Sequence, residues 1–487
     1  MRSGLLPRLQ DFLFIVVLIG ALTTGSRMLN TDSDLGRHLT LGAYILSSHQ
    51  IPTHDILSFT KAGDPRPPYE WLAQVLLAVA YRILNLDGVV LFTSIVIAAA
   101  FSLVYLDGVR RSGTPIVALL ATAWAAIASS LHWLARPHIF SFLLFALWLY
   151  LLERLRRGEP TQIWLFSALM LLWSNAHGGF IYGFLALGVY CAGWLWEALR
   201  GTVQHQIGKG LLTISVTSAL TSVLTPDLWH NWDAVLNNRS SYVLSRTVET
   251  MPLQVNSPGV WPFLGMLLLA SVLLLRRHFR VPASHLLLLM VLAVASFAMV
   301  RNIPLFAIAA APMLTKWASE ALAALPVWQR IEGRFLEMEA GFKPFLWLGV
   351  AVLFAFSFFA YRDIGLRAPL YQFRPDVFPV QASSWVKAHA QPGNTFNDFN
   401  WGGYLLYRLW PAQRVFIDSQ SDFYGEALTR QAASIAAGGS GWEDSLDRFG
   451  VTRIFIPRNA GLAAAASSSL HWTIAYEDAI AIVLDRK

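Results

Sequence analysis

The sequence predicts an α-helical polytopic membrane protein, with about 11–13 transmembrane helices and a small C-terminal α/β extracytoplasmic domain. Three observations predict it. The chain is 55% hydrophobic and 14% charged, with a mean hydropathy of +0.47, where a soluble domain carries about 25% charge. Apolar runs of spanning length follow one another as far as residue 361. From about Arg362 such runs stop, and short β-rich and helical stretches alternate. The division is a membrane module over 1–361, with its first outer loop at 30–70, and a soluble domain over 362–487.

The net charge of +7 comes from basic residues clustered in short loops, which is topology information. The interleaved basic and aromatic pattern of a nucleic-acid binder is absent. The 19 tryptophans suit interfacial belts. A single cysteine, Cys191, excludes an intramolecular disulfide.

The first apolar run, Phe12 to Leu29, follows Arg2 and Arg8. It reads as a retained signal anchor, being of spanning length without a clear A-x-A site. Further apolar segments lie near 71–86, 88–107, 115–134, 137–153, 161–176, 179–199, 208–224, 260–276, 283–300, 303–320 and 344–361, making twelve. Arg154 with Arg156 and Arg157, Arg200 with Lys209, Arg276 to Arg280, and Lys316 to Lys343 mark cytoplasmic loops. Arg136–His138, Asn175–His177, Thr225–Pro258, Arg301–Asn302 and everything after Tyr361 then lie outside. One conflict follows. With Arg2 and Arg8 inside, two crossings over 71–107 leave Arg110 and Arg111 outside. An odd total, 11 or 13, resolves it, so either one of these segments does not fully cross or a span is missing from the count.

The loop from Asn30 to Trp71 is too long and too polar for a connector. Asp32 and Asp34 form D-x-D just beyond the first membrane helix. Leu35 to Leu46 reads as a short amphipathic helix with Leu35, Leu39, Gly42 and Leu46 on one side. Asp34 is either its N-cap or a general base at the membrane surface. A divalent cation held through Asp32 or Asp34 is a weaker variant. His38, four residues on, shares the helix face and suits a phosphate partner or an orienter of Asp34. His54 and Asp55 sit in a turn that Asp55 can close by itself. Glu70 stands where the next helix begins, as a dipole-favoured acid or as a second carboxylate across a cavity.

Arg136-Pro137-His138, Asn175-Ala176-His177 and Arg301-Asn302 interrupt the outer ends of apolar helices. Ionisable groups there are expensive unless they face a cavity or headgroups. Arg136 and Arg301 suit a phosphate, or snorkel to lipid. His177 suits phosphate or sugar. In the tail, Asn394–Asn397, Arg414–Asp418, Thr452–Pro457, Trp472–Glu477 and Ile480–Asp485 read as strands. Pro379–His389, Gly402–Leu409, Phe423–Ala437 and Trp442–Phe449 read as helices. This alternation implies a partly parallel sheet. No Gly-rich nucleotide fingerprint, zinc spacing or G-x-S-x-G occurs.

The runs DSDLGRHLTLGAYILSSHQIPTHDILSFT, YEWLAQVLLA, WSNAHGGFIYG, RNIPLFAIAAAP and NDFNWGGYLLYRLWPAQRVFIDSQSDFY cover the chain nearly end to end. They resemble a family of largely uncharacterised bacterial membrane proteins that reads D-x-D-x-W-x-H-L-x-x-G and G-G-Y-L…V-F-I-D. The order of parts resembles the GT-C superfamily of integral-membrane glycosyltransferases, which includes protein mannosyltransferases and oligosaccharyltransferase catalytic subunits. Two departures stand out. Gly36-Arg37 replaces commonly aromatic residues, and Ser419-Gln420 follows Asp418 where Gly-Arg is common.

The resemblance implies transfer of a sugar from a polyprenyl-phosphate donor to an acceptor hydroxyl, on the outer face of a bacterial cytoplasmic membrane. The first-loop acid is then the base or a metal-linked acid, a role falling on Asp34 or Asp32, with no certain cofactor beyond a possible divalent cation. His38, His54, Asp55, Glu70, Arg136, His138, Asn175, His177 and Arg301 would line the substrate site. The alternatives are a transporter or flippase of lipid-linked sugars, whose polar groups belong near the midplane, and an envelope assembly scaffold.

Overall fold

A computed structural model describes residues 6–201, 205–236, 242, 248–275, 281–340, 342–343, 345–364 and 369–487. Arg2, Arg276 to Arg280 and part of the stretch between Thr225 and Pro258 lie outside the described residues.

Five helical stretches are long and apolar enough to cross a membrane: Trp71–Ser112, Pro115–His132, His138–Arg156, Gly178–Leu199 and Pro258–Leu275. Shorter apolar helices include Leu9–Thr23, Trp164–Ala176 and Ala283–Ala298. The array has two chemically different ends. At one, Arg110 pairs with Glu159, and Arg111, Arg156 and Arg157 all reach Glu153. At the other lie the first loop, the Arg136 turn and the Asn175 turn.

Trp71–Ser112 settles the conflict in the charge pattern. The helical path breaks at Leu84 (φ −140°) and Asn85 (φ 53°). A Cβ on Gly88 would lie 2.2 Å from the Ala80 carbonyl oxygen, so the two legs fold sharply against each other. The first leg begins at Trp71, whose indole donates to Asn175 Oδ1 at 2.7 Å. Just past the break, Asp87 accepts from the amides of Leu370 and Tyr371 at 3.0 and 2.8 Å. The Tyr371 hydroxyl in turn donates to the Leu22 carbonyl at the exit of the first helix. Both ends of 71–83 therefore sit at the site end. Segment 71–86, expected as a span, does not cross, and only 86–112 runs through to Arg110 and Arg111. The physical cause is the backbone at Leu84 and Asn85, where φ and ψ leave the helical region (Asn85 φ 53°, ψ −143°) and the i to i−4 ladder cannot continue. Among the described residues this leaves eleven helical legs: 9–23, 86–112, 115–129, 138–156, 164–176, 181–199, 205–222, 261–275, 283–298, 303–322 and 346–364. Arg8 donates to the Phe342 carbonyl at the basic end, so the chain enters the array there and the last leg leaves at the site end.

The C-terminal part holds four strands in the order β1-β2-β4-β3: β1 Asn394–Asn397, β2 Val451–Pro457, β3 Trp472–Glu477 and β4 Ala481–Arg486. β1 and β2 are parallel and the other pairs antiparallel. The fifth expected strand, 414–418, is not part of this sheet. Its Val415 exchanges backbone hydrogen bonds with Leu57 and Phe59 of the first loop at 3.1 Å each. Asn397 fixes its other side, accepting from the Phe416 amide and donating to the Ile417 carbonyl. Its apolar residues thus serve the joint between tail and loop.

The helix Asp34–Ser48 buries Leu35 and Leu39, as its period requires. It packs on Gly402–Leu409 through backbone contact. A Cβ on Gly36 would meet the Gly403 carbonyl oxygen at 2.2 Å, and one on Gly403 would meet the Ser33 carbonyl oxygen at 2.1 Å. Both obstacles are backbone and cannot rotate away. We expect Gly403→Ala to cost about 1–3 kcal/mol by overpacking and to lower the thermal midpoint of the purified chain. Gly63→Ser, at an exposed turn with open space beside it, carries only the strain of a positive φ and should move the midpoint less.

Candidate active site

A cavity of about 360 Å³ opens at the site end, between the first loop, the 136–142 turn, the 177–182 turn, Arg301 and the tail segment Ser419–Asp422. Its walls carry most of the polar residues singled out above. Asp34 is the first residue of its helix, after Ser33 in the N-cap position, and its amide donates to Asp32 Oδ1 at 3.0 Å. The D-x-D spacing thus makes an Asx-type turn, with Asp32 rather than Asp34 acting as the capping acceptor.

Arg136 ties three carboxylates from two segments. It donates to Asp32 through Nε (3.0 Å) and also contacts Asp32 through Nη2, which lies 3.3 Å from Asp34 Oδ2. Its Nη1 donates to Glu249 Oε1 at 2.9 Å. Asp34 is held further by the Ser419 hydroxyl and by Arg37 Nη2 at 3.4 Å. Burial works to raise the Asp34 carboxyl, but the charges of Arg136 and Arg37 and the Ser419 hydrogen bond overcome it and hold it well below the usual carboxylate range. Burial pushes Asp32 up to about 6 against the pull of Arg136.

Glu70 is placed differently. It ends the loop beside the helix that starts at Trp71, and its nearest ionisable neighbours are imidazoles, His38 Nδ1 at 3.8 Å and His177 Nε2 at 4.0 Å. Burial raises its pKa to about 7, despite the opposing charge of Arg37. His177 is fixed by its own turn. Its Nδ1 accepts from the Gly179 amide at 3.0 Å and faces the Ser141 hydroxyl at 2.8 Å. A neutral His177 therefore carries its proton on Nε2, the nitrogen facing Glu70. Burial, with His138 and Arg301 nearby, lowers its pKa to about 3. Buried His38 is likewise neutral, its pKa pushed well below the usual value by burial and by Arg37.

Arg301 is exposed to the cavity and has no carboxylate within ion-pair distance among the described residues. His138 also lines it, held by its Nε2 against the His132 carbonyl at 2.8 Å. Four expected site residues do not line the cavity. Asp32 is held by Arg136 and caps the Asp34 turn. Asn175 spends its amide on Trp71, Leu171 and Leu224. Asp55 accepts from the Leu57 and Ser58 amides and from Arg66, closing its own turn. His54 lines a smaller neighbouring cavity.

The tail residues are what sequence reading missed. Arg37 Nη1 donates to Gln420 Oε1 at 2.7 Å and lies 3.7 Å from Asp418. Arg66 bridges Asp55, Asp418 and Gln420, with its guanidinium 4.5 Å from the Phe423 ring centre. Tyr69 donates to Asp422, which lines the cavity and whose pKa is raised by burial. The signals were present as the two departures from the family pattern, since Arg37 meets Gln420 and Asp34 meets Ser419. Nothing local marked Arg66 or Glu249.

A divalent cation fits this arrangement poorly. Asp32, Asp34 and Glu249 are the acids that could converge on one, and the Arg136 guanidinium already occupies their common centre. Among the described residues no group of three or more His, Cys, Asp or Glu side chains is set to hold a metal.

No family model matches the chain, and no curated protein matches it in sequence. Solved structures match its fold. An archaeal oligosaccharyltransferase, AglB from Archaeoglobus fulgidus in complex with an inhibitory peptide and a dolichol-phosphate, aligns at 12% identity with a TM-score of 0.59, over 91% of this chain and 69% of its own. The same enzyme tethered to an acceptor peptide containing the NVT sequon aligns at 12% identity with a TM-score of 0.60, over 92% and 69%. ArnT from Cupriavidus metallidurans in the apo state aligns at 13% identity with a TM-score of 0.52, over 97% of both chains. The chain has a GT-C-like fold, with a helical membrane array and a small C-terminal sheet domain.

Proposed function

We propose that this protein is a glycosyltransferase that moves a sugar from a polyprenyl-phosphate donor to an acceptor hydroxyl. The observation that carries this reading is a cavity at one end of the array that joins Arg301, which has no ion pair among the described residues, to a buried carboxylate whose pKa burial raises to about 7, Glu70. An oligosaccharyltransferase of the same fold was solved with a dolichol-phosphate, which supports a lipid-phosphate donor. The basic clusters at the opposite end orient the cavity outward, with the N-terminus cytoplasmic and the tail extracytoplasmic. A transporter would gather its polar groups near the midplane; here they gather at one end.

In this reading the acceptor oxygen attacks the anomeric carbon. Its proton passes to Glu70. The bond from the anomeric carbon to the phosphate oxygen breaks, and the lipid phosphate leaves with the electron pair. Arg301 meets the charge that develops on the phosphate, and the His177 Nε2–H orients Glu70. Asp34, permanently ionised, fixes Arg136 and Arg37 and so holds the tail segment over the site. A second reading makes Asp34 the base, because it lines the cavity and is ionised at every physiological pH.

The test is restoration of envelope glycans in a deletion strain, read by mass spectrometry. A sugar lost on deletion and restored by the wild-type chain is the expected result. Asp34→Asn, verified to express and insert, should restore less than about a tenth of it, because either reading needs that charge. An unchanged glycan profile on deletion would reject the transferase.

A further inference from the structure

A second cavity, of about 250 Å³, lies at the basic end of the array, remote from the site just described. It opens between the helices His138–Arg156, Ile181–Leu199, His205–Ser222 and Ala283–Ala298. Beneath it is a buried charge network. Glu153, 2% exposed, receives Arg156 through Nε and Nη2, Arg157 through Nε, and His285 at 2.8 Å, with Arg111 at 3.8 Å. Asp107 takes the rest of Arg111. Ionisable groups packed at such depth are costly and mark function by default, and the transfer chemistry uses none of them.

A count of donors and acceptors shows what the cavity lacks. Glu153 is shared among three guanidiniums, and although Asp107 also takes Arg111 and Glu159 lies 3.9 Å from Arg157 Nη1, donors are left over. Among the described residues Arg156 Nη1 and Arg157 Nη2 have no acceptor. The Trp194 indole N–H and the Ser284 hydroxyl are buried without a partner, and Ser284 is only 2% exposed. All four residues line this cavity. Glu197 is the sole carboxylate on its wall and has a partner of its own. The buried Trp194 and Ser284 donors cost about 1–3 kcal/mol each without an acceptor, and the partly exposed Arg156 and Arg157 add positive charge beside them, so the complementary ligand is rich in acceptors and anionic. Leu152, Ile207 and Leu211 supply an apolar wall beside the donors.

We propose that this cavity binds a phosphate group, carried by a lipid headgroup or free, Arg156 and Arg157 taking its charge and Trp194 and Ser284 its remaining oxygens. Basic pockets between helices near a membrane surface suit anionic lipid headgroups, and the apolar wall suits the chains below one.

The test is the thermal midpoint of the full-length chain in a zwitterionic detergent, titrated separately with phosphatidylglycerol, phosphatidylcholine and inorganic phosphate. A ligand that binds only the folded state raises the midpoint by an amount that grows as ln(1 + [L]/Kd). We expect a logarithmic rise with phosphatidylglycerol and none with phosphatidylcholine. Trp194→Phe with Ser284→Ala removes two donors and leaves every tie to Glu153 in place; it should raise the concentration needed for a given rise about fivefold. Arg156→Gln with Arg157→Gln should raise it more than tenfold. Arg301→Gln, at the opposite end, should leave the rise unchanged, which separates this site from the transfer reaction. A rise with inorganic phosphate that shows the same dependence on the variants supports the site and identifies free phosphate as its source. Equal response to both lipids, insensitivity to both double variants, or loss of the response in Arg301→Gln would overturn the proposal.

Discussion

Glu70→Gln should reduce sugar transfer by about 10²–10⁴-fold, the usual contribution of a positioned general base, with little change in the amount of folded protein. The glutamine keeps the shape of the side chain and removes its capacity to take a proton. The wild-type pH profile checks the same assignment independently. A base must be deprotonated to act. The Glu70 pKa is raised by burial to about 7, so the rate should climb about tenfold per unit as pH rises below 7 and level off above it. If Asp34 is the base instead, its carboxyl, held low by Arg136, Arg37 and Ser419 against burial, is ionised throughout, and the rate should be flat between pH 6 and 8. A flat profile together with near-normal activity in Glu70→Gln would remove Glu70 from the chemistry. His177→Ala is not an equivalent test, because it also breaks the turn that the Nδ1–Gly179 contact closes.

Arg66→Leu should be the most destabilising single change in the joint between loop and tail, at about 3–5 kcal/mol. Arg66 serves two carboxylates whose side chains are completely buried, Asp55 at 2.5 Å and Asp418 at 3.5 Å. Removing one partner of a buried pair leaves an uncompensated charge, and that, more than the lost attraction, sets the cost. Adding Asp55→Asn to Arg66→Leu should recover part of the loss, since it removes one of the stranded charges. Arg66→Lys should lose less than Arg66→Leu, keeping a charge but not the fork that reaches three acceptors. Chemical denaturation of the purified chain would check the order. If Arg66→Leu unfolds at the wild-type midpoint, the joint is not held by this residue.

The two changes fail in different places. Glu70→Gln acts on chemistry within an intact cavity. Arg66→Leu loosens the tail from the loop, and with it go Ser419 and Gln420, which touch Asp34 and Arg37. A tail that merely covered the site could shift without much loss. Here the tail contributes atoms to the cavity wall, so stability and activity should fall together.

What the sequence by itself determined is the membrane array, the polar character of its two ends and the elements of the tail apart from 414–418. Those follow from composition and period, which act within a few residues and need no partner. The acids and histidines of the first loop were visible for the same reason, as polar groups where apolar ones are expected. Only the tertiary structure decided which leg crosses, because a non-helical break at Leu84 and Asn85 turns a 42-residue helical stretch back on itself. It alone decided what each acid does. Asp32, Asp34, Asp55 and Glu70 are much alike in sequence, yet one caps a turn, one is locked by two arginines, one closes a loop and one is left among neutral imidazoles. A carboxylate's chemistry is set by its burial and by the charges and hydrogen-bond donors within a few ångströms, and here those groups come from residues as much as 385 positions away in the chain.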